Sequence, residues 1–394
     1  MDTLEQFREE TRQWLLAHAP KSMCTPVRVV DDLCWGGRRA QYPADVKRWL
    51  GVMAERGWTA PTWPKQYGGG GLDKAEAKIL SQEMAKLGVR APLVGFGLTM
   101  IGPLLLQEGS EDLKRVHLPP IGRGEIRWCQ GYSEPGAGSD LAGLQARAVI
   151  DGDDFVVTGQ KIWTSYADKA DWMFLLVRTD PNVRKQAGIT FLLMDMTSPG
   201  VSVRPILLIS GSSPFCETFL DNVRVPRSQV VGQVNGGWAM AKALLGHERT
   251  MIADIFKDRA PGNPLLELAR RYLPASAARI ADPIIRDRIT QLDMDAACLD
   301  LTLKRSQDSM KAGHKPGPET SMFKYYGTET NMRRRELMLA IAGPQGLGWE
   351  GAGFDESELA LTRDWLRSRG NSIEGGTSEI QLNIIAKRVL GLPD

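Results

Sequence analysis

The residues best suited to chemistry form a stretch rich in glycine and serine between positions 130 and 140, followed by a tryptophan and a serine further along. Gly136 and Gly138 bracket a turn in which a missing Cβ lets a backbone N–H approach a ligand closely. Serine hydroxyls can donate or accept hydrogen bonds. The combination indicates a site for a flat, hydrogen-bonding cofactor, although the glycines alone fit an ordinary surface turn equally well. The side chains concerned are Ser133, Ser139, Trp163 and Ser165.

The length and charge of the chain limit its class. At 394 residues the chain exceeds what one core usually organises, so two or three domains are expected. Its 49 lysines and arginines are balanced by 47 acidic residues, which argues against a general binder of nucleic acid or of anionic membranes. A phosphate-bearing ligand would need local basic groups instead.

Sequence motifs for metals, nucleotides and membranes are missing. The four histidines have no ligand-like spacing, and neither a P-loop nor a strand-borne GxGxxG is present. The five cysteines are scattered without a CxxC pair and are expected to be reduced. The longest apolar run, 91–107, is interrupted by glycines and a proline and is too short for a bilayer span, so it predicts a buried helix near a cavity. With an acidic start that lacks a leader pattern, these features predict a cytoplasmic protein without a membrane span.

The hydrophobic period changes twice along the chain, which predicts three domains. Residues 1–127 carry apolar side chains three and four positions apart, as amphipathic helices do. Residues 128–235 form short β-branched and aromatic runs, for which a small antiparallel barrel or sandwich is the simplest arrangement. Helical spacing returns over 236–394, and Asn235 is predicted as the N-cap of the first helix there. The predicted strands cover 146–150, 155–158, 172–177, 188–194, 201–208 and 217–225.

Several stretches together resemble the acyl-CoA dehydrogenase family. Residues 131–140 and 161–165 are similar to its flavin-binding signature, 57–69 to its N-terminal landmark and 373–381 to its C-terminal one, in the family's order. The resemblance implies an α+β multidomain fold with an N-terminal all-α domain, a middle small antiparallel β-barrel and a C-terminal four-helix bundle. It also implies FAD as cofactor, an acyl-CoA as substrate, and removal of a C2 proton and a C3 hydride to give a trans-2-enoyl-CoA.

The same resemblance assigns the flavin contacts. Tyr132 and Ser133 occupy positions that touch the pyrimidine end of the isoalloxazine, Trp163 would flank the ring, and Ser165 would hydrogen-bond near its N5. Ser139 falls where the family contacts ligand phosphates, so it is assigned to both cofactor and substrate. The implied cofactor-binding set is Gln130, Tyr132, Ser133, Ser139, Trp163, Ser165, Thr377 and Glu379.

The catalytic base is a choice between two glutamates, of which Glu248 is preferred. A glutamate with an unperturbed pKa of ~4.3 is a poor base for a carbon acid, so burial that raises the pKa is expected. In much of the family the base directly precedes Gly-Thr-Ser, where this chain has Gly375. A second branch, similar to isovaleryl- and long-chain acyl-CoA dehydrogenases, carries its base on the helix after the barrel, directly before an arginine, as Glu248 and Arg249 are arranged here. Glu374 remains the rival, although a loop or helix-cap acid is its more ordinary role.

The resemblance gives supporting roles to two neighbours of these glutamates. The backbone N–H of Gly375 would donate to the thioester oxygen together with a ribityl hydroxyl of the flavin, a function that needs no side chain. Arg249 would act on the substrate side or steady Glu248, with a surface ion pair as its alternative. The helix-borne base occurs in relatives that handle branched, long or bulky acyl groups, which favours a non-linear substrate. The triplet Arg333–Arg335 is predicted to be a solvated helix face rather than a phosphate site.

Two departures from the family pattern concern the adenine end of FAD. The Arg-x-x-Phe-Gly string that reaches the flavin of a neighbouring subunit has no counterpart between 256 and 315, and residues 340–344 lack the usual glutamine of a later motif. A homodimer or homotetramer remains expected, with electron-transfer flavoprotein as the acceptor. Alternatively, part of the flavin site comes from a different partner subunit in a hetero-oligomer. Two rivals stay open: a non-catalytic subunit of such an assembly, and an oxidase that passes electrons to oxygen.

Overall fold

The computed structural model describes residues 3–27, 32–244, 263–276, 279–314 and 317–393. Backbone contacts divide the chain into two compact units. The first unit comprises residues 1–206 and 214–245, and the second comprises 207–213 and 246–394. Each unit has its own hydrophobic core.

The first unit begins with helices. They are α1 (Thr3–His18), α2 (Ala44–Glu55), α3 (Lys74–Lys86), α4 (Gly102–Glu108) and α5 (Glu111–Gly122). A π-helix, Gly97–Ile101, leads directly into α4, and the two segments bury Gly97 and Met100–Gly102 together with Leu104 and Leu105. The buried helix predicted for the apolar run 91–107 is therefore confirmed for its later part, from Gly97 on.

A buried carboxylate joins α1 to α3. Glu83 on α3 is fully buried and accepts hydrogen bonds from Arg8 and Arg12 of α1 and from Lys86 one turn along α3. Burial by itself would raise the pKa of Glu83, but the bonds from these three cations outweigh it and lower the pKa to about 2. The carboxylate therefore stays ionised inside the helical layer.

The strands follow α5 and form one seven-stranded sheet in the order β1-β4-β2-β3-β7-β6, with β5 paired to β4. They are β1 (Trp128–Gly131), β2 (Arg147–Asp151), β3 (Asp154–Ser165), β4 (Trp172–Arg178), β5 (Ile189–Asp195), β6 (Val201–Ile206) and β7 (Phe215–Pro226). The predicted strands and the hairpin between β2 and β3 are confirmed. The sheet is mostly antiparallel, as expected, in the pairs β2–β3, β3–β7, β4–β5 and β6–β7, whereas β4 runs parallel to β1 and, at one residue pair, to β2. A parallel pair needs a long crossover, and residues 132–171 supply one between β1 and β4.

The helix after the sheet begins at residue 237, one residue later than an N-cap at Asn235 would require. Residues 237–244 are helical, and the Gly236 carbonyl accepts the first turn's N–H from Ala239. Asn235 has a positive φ of 67°, and its side-chain oxygen accepts a hydrogen bond from the Thr179 hydroxyl. The predicted N-cap role of Asn235 is therefore wrong, because its side chain is engaged with the sheet.

The described part of the second unit is mostly helical. Its helices are α6 (Pro264–Tyr272), α7 (Pro283–Lys311), α8 (Thr320–Ala342), α9 (Glu356–Ser368) and α10 (Ser378–Ile384), with a π-helix at Ile385–Val389 and a small hairpin of β8 (Ala275–Ser276) and β9 (Arg279–Ile280). Apolar side chains of α6, α7 and α8 form the core. The basic triplet on α8 is tied to its neighbours, because Arg333 pairs with Asp295 on α7 and Arg335 with Asp364 on α9. The order of helices, strands and helices confirms the expected fold class.

Candidate active site

The glycine-rich turn is closed by backbone bonds and leaves its glycines open. Glu134 and Ala137 exchange backbone hydrogen bonds of 3.0 Å in each direction. A Cβ placed on Gly136 or Gly138 would meet nothing within 4 Å. Space is therefore open beside the backbone at both glycines, so a ligand can approach the main chain there.

A buried ion pair holds this turn against the sheet. Lys161 on β3 is completely buried, and its Nζ donates to Glu134 Oε1 at 2.8 Å and to the Tyr132 carbonyl at 3.2 Å. The Glu134 carboxylate also accepts the backbone N–H groups of Gln145 and Ala146. Burial lowers the pKa of Lys161, and the Glu134 charge opposes that shift. The pair fixes the start of the turn relative to β3 and links it to residues 145 and 146 further along the chain.

The end of β3 is irregular where the flavin contacts are predicted. The β3–β7 register shifts between Lys161 and Thr164, and Trp163 within this bulge has a φ of 61°. Its indole is 53% exposed and meets Phe215 edge-on at 6.0 Å. Tyr166 has a φ of 53°, so Thr164 and Ser165 lie between two strained residues. Left-handed backbone at large residues is costly and concentrates at functional sites.

The other predicted contacts in the first unit divide into buried and accessible groups. Tyr132 is buried, and its ring packs edge-on against Phe174 at 6.1 Å, so its contact with a flavin would come from the main chain. Gln130 lies on β1 beside Phe174 of β4 and is partly exposed. Ser133 is partly exposed and Ser139 is exposed. One exposed indole and several accessible hydroxyls beside an open backbone turn fit the flat ring and polar edge of a flavin.

The remaining predicted flavin contacts lie in the second unit. Gly375 and Gly376 have φ values of 66° and 89°, and a Cβ on Gly376 would come within 2.5 Å of Gln381 Nε2. Thr377 caps α10 by accepting the Ile380 N–H, and Glu379 lies in the first turn of that helix. The local backbone therefore requires at least one of the two glycines for reasons internal to the unit.

Glu374 is held by two neighbours. Its Oε2 accepts a hydrogen bond from Arg367 at 2.7 Å, and its Oε1 accepts one from Asn371 at 2.6 Å. Asn371 is itself fixed, because its carbonyl accepts from the buried Lys324 ammonium and its side-chain oxygen accepts from Asn331. Glu248 and Arg249 lie outside the described residues.

Sequence analysis gave no role to Glu134 and Lys161, although both belong to the quoted motifs. A signal was available: Lys161 follows the inward-facing residues Phe155 and Val157 on the same strand, where a lysine is out of place.

The comparison with known proteins identifies the family. Models of the N-terminal, middle and C-terminal domains of acyl-CoA dehydrogenase match residues 2–125, 129–223 and 235–390. The acyl-CoA dehydrogenase IpdE1 of Mycobacterium tuberculosis is 35% identical over 396 residues, which cover 100% of this chain and 99% of IpdE1. The chain belongs to the acyl-CoA dehydrogenase family. It is therefore an FAD-dependent oxidoreductase of acyl-CoA dehydrogenase type.

Two solved assemblies are similar along the whole chain. The ChsE4-ChsE5 complex from Mycobacterium tuberculosis is 30% identical with a TM-score of 0.74, covering 100% of this chain and 98% of the chain compared. The Tcur3481-Tcur3483 steroid ACAD is 28% identical with a TM-score of 0.76 and the same coverage of both chains. In the described ranges, no helix has the length and apolar character needed to cross a membrane.

Proposed function

We propose that Glu248 is the base that removes the C2 proton of an acyl-CoA thioester, so that the product is the trans-2-enoyl-CoA. FAD, when bound, supplies the hydride acceptor at N5 for the hydrogen that leaves C3. The backbone N–H of Gly375 donates to the thioester oxygen and stabilises the negative charge that develops there. Arg249 supports the substrate or steadies Glu248.

The observation that supports this assignment is the hydrogen bonding of Glu374, the alternative base. Glu374 is bonded to both Arg367 and Asn371, so its carboxylate has partners within its own unit. These bonds support the ordinary structural role of a loop or helix-cap acid for Glu374. Gly375, at the other family position, has no side chain, so Glu248 is the remaining carboxylate at a position where the family carries a base.

The test compares two isosteric changes. We expect Glu248→Gln to reduce dehydrogenation by at least about a hundredfold, in the range of a lost general base, while flavin stays bound. Glu374→Gln should retain most of the activity, because an amide oxygen can still accept from Arg367. The measurement is anaerobic bleaching of the flavin by acyl-CoA, with flavin absorbance as the check on loading. Full activity of Glu248→Gln, or loss confined to Glu374→Gln, would contradict the assignment.

A partner-dependent form of the same enzyme is the second candidate. One similar structure is named as the ChsE4-ChsE5 complex, the name of another joins two proteins, Tcur3481 and Tcur3483, and this chain lacks the Arg-x-x-Phe-Gly string. On this proposal a related subunit completes the adenine end of the FAD site, and electrons pass to electron-transfer flavoprotein. Flavin content per chain and particle mass, measured with and without a co-expressed related subunit, distinguish this form from a homo-oligomer.

The proposed substrate is a bulky acyl group rather than a linear chain. The support is the helix-borne position of Glu248 and the similarity to a protein named as a steroid ACAD. A panel of linear, branched and ring-bearing acyl-CoAs, ranked by kcat/KM, tests this choice.

A further inference from the structure

A buried lysine of the second unit bonds to the loop between α9 and α10. Lys324 on α8 is 1% exposed, and its ammonium donates to the main-chain carbonyl of Asn371 at 2.9 Å. Burial lowers the pKa of Lys324, and the charges of Glu374, Glu329 and Glu379 oppose that shift. A hydrogen bond from an ammonium is stronger than one between neutral groups. The loop is therefore anchored to α8 at Asn371.

The side chain of Asn371 is engaged at both of its polar atoms. Asn371 is 7% exposed; its Oδ1 accepts from Asn331 at 2.9 Å, and its Nδ2 donates to Glu374 Oε1 at 2.6 Å. Lys324 and Asn331 are seven positions apart on α8, so they lie two turns apart on one face of the helix. One face of α8 thus fixes both the main chain and the side chain of Asn371. Glu374, the residue before Gly375, is fixed through it.

The chain after Glu374 is held from α10. Gln381 is 1% exposed, and its Nε2 donates to the carbonyls of Gly375 and Gly376 at 3.3 Å and 3.4 Å. Within the described ranges, the N–H of Gly375 donates no hydrogen bond, and Gly375 is partly exposed. This N–H is therefore an accessible donor between two fixed neighbours.

The loop needs these bonds because it contains two successive glycines. Gly375 and Gly376 have φ values of 66° and 89°, and glycine loses more conformational freedom on ordering than any other residue. Asn371 acts on the preceding residue, Glu374, and Gln381 acts on the two glycine carbonyls. Together these bonds restrict the direction in which the Gly375 N–H points. Direction matters for a donor, because a hydrogen bond weakens steeply as it departs from linearity.

We propose that Asn371 is a positioning residue of the reaction, because it holds the Gly375 N–H where the thioester oxygen of the substrate binds. This inference rests on the proposed function for the role of Gly375. Negative charge grows on that oxygen only as the C2 proton leaves, so a correctly placed donor stabilises the transition state more than the bound substrate. Asn371 takes no direct part in proton or hydride transfer. A donor displaced by about 1 Å can cost about a hundredfold in rate.

The experiment changes the bonds of Asn371 in the full-length chain with its flavin. Asn371→Leu is similar in size and forms neither side-chain bond. The double variant Asn371→Asp/Glu374→Gln exchanges donor and acceptor: the new amide donates to the new carboxylate, which can still accept from Asn331, and the net charge is unchanged. Tyr326→Phe is the control, because the Tyr326 hydroxyl donates to Asp295 at 2.6 Å and so joins α8 to α7 rather than to the loop. Asn331→Ala, a milder change, replaces Asn371→Leu if that variant does not hold flavin.

The readout is the acidity of C2 in bound 3-thiaoctanoyl-CoA. Sulfur replaces C3 in this analogue, so it can lose its C2 proton but has no C3 hydride to transfer. The bound anion gives a long-wavelength absorbance band against oxidised flavin, and a pH titration of that band yields the pKa of C2. We expect Asn371→Leu to make C2 about ten- to hundredfold less acidic, which raises that pKa, and to lower kcat for dehydrogenation by a similar factor with little change in KM. Wild type, Tyr326→Phe and the double variant should behave alike.

Two results would overturn the proposal. In the first, Asn371→Leu loses melting temperature or flavin content, but the molecules that retain flavin keep the wild-type C2 pKa, as a merely structural asparagine would. In the second, the double variant is as impaired as Asn371→Leu. If neither an acyl-CoA nor the analogue acts on the flavin of the wild type, the proposed function fails instead. Deuterium exchange of the amides of residues 372–377, followed by mass spectrometry, then still decides whether Asn371 holds the loop: faster exchange in Asn371→Leu alone supports this, and equal exchange in all variants contradicts it.

Discussion

Two buried cations of the first unit are handled in opposite ways. Lys161 is fully buried and meets the Glu134 carboxylate at 2.8 Å, together with a backbone carbonyl. Arg127 is almost as buried, and its guanidinium lies against the faces of Trp35 and Tyr166, without an ion pair to any carboxylate of the described residues. Both residues belong to the same sheet region: Lys161 lies within β3, and Arg127 directly precedes β1.

The difference lies in how each charge is compensated. A buried ion pair whose remaining hydrogen-bonding groups are satisfied can be understood from the protein alone. A guanidinium stacked between two rings gains about 0.5–2 kcal/mol from cation–π contact, less than the loss of one member of a buried ion pair costs. The comparison predicts that removing Lys161 destabilises the fold, whereas removing Arg127 does not.

The largest effect is expected at the Lys161–Glu134 pair. Lys161→Met would leave the Glu134 carboxylate buried with two backbone N–H donors and no counter-charge. We expect the free energy of unfolding to fall by about 3–5 kcal/mol, the usual result of removing one member of a buried pair. Chemical denaturation followed by circular dichroism measures it, and flavin absorbance reports whether the turn still holds the cofactor.

The control for this prediction is the double variant Lys161→Met/Glu134→Gln. Because it removes both charges, it should be more stable than Lys161→Met alone, with an interaction free energy that a double-mutant cycle reports. Equal stability of wild type and Lys161→Met would mean that the pair does not support the turn. The comparison with Arg127 would then lose its basis.

The sequence predicted the helices and strands better than it predicted the pairing and contacts between them. The hairpin of β2 and β3 follows from the turn residues between 151 and 154, and the apolar period of α1 gave its buried face at Thr11 and Leu15. The parallel pairing of β1 and β4 was not predicted, because alternation in a strand does not specify the direction of its neighbour. The N-cap at Asn235 failed because Thr179 and Thr190, distant in sequence, engage that residue.

Only those residues of the candidate site that belong to sequence motifs could be predicted. The glycine turn and Trp163 belong to short motifs that are visible in the sequence, and both are accessible in the structure. The buried ion pair joins Lys161 to Glu134, 27 positions earlier, and the stacked guanidinium of Arg127 depends on Trp35 and Tyr166, which lie far apart in sequence. Contacts of this kind are set by tertiary packing and have no periodic signal.

A smaller effect, with a defined pH dependence, is expected at Glu83. This carboxylate is buried like Glu134, but its three cations are partly exposed, so solvent screens them. We expect Glu83→Gln to lower the free energy of unfolding by about 1–2 kcal/mol at neutral pH. Unfolding curves at a series of pH values measure this loss.

The sign of the pH dependence follows from the folded pKa of about 2, which is below the ordinary value of 4.5. The stabilisation by ionised Glu83 is complete above pH 4.5 and is lost as the pH falls toward 2, because the unfolded chain binds the proton first. The difference between wild type and Glu83→Gln should therefore shrink over that interval. A difference that grows on acidification would show that the carboxylate is not held ionised by Arg8, Arg12 and Lys86.

The smallest effect on stability, and the one that sharpens the comparison most, is expected at Arg127. Methionine is apolar, flexible and makes favourable contacts with aromatic rings, so it can occupy the space between Trp35 and Tyr166 without a charge. Replacing a buried charge by a well-packed apolar side chain is often neutral or stabilising. We expect Arg127→Met to change the free energy of unfolding by less than about 1 kcal/mol or to raise it. Chemical denaturation of wild type, Arg127→Met and Lys161→Met in parallel measures the contrast, because equal destabilisation of the two variants would make Arg127 a structural residue like Lys161.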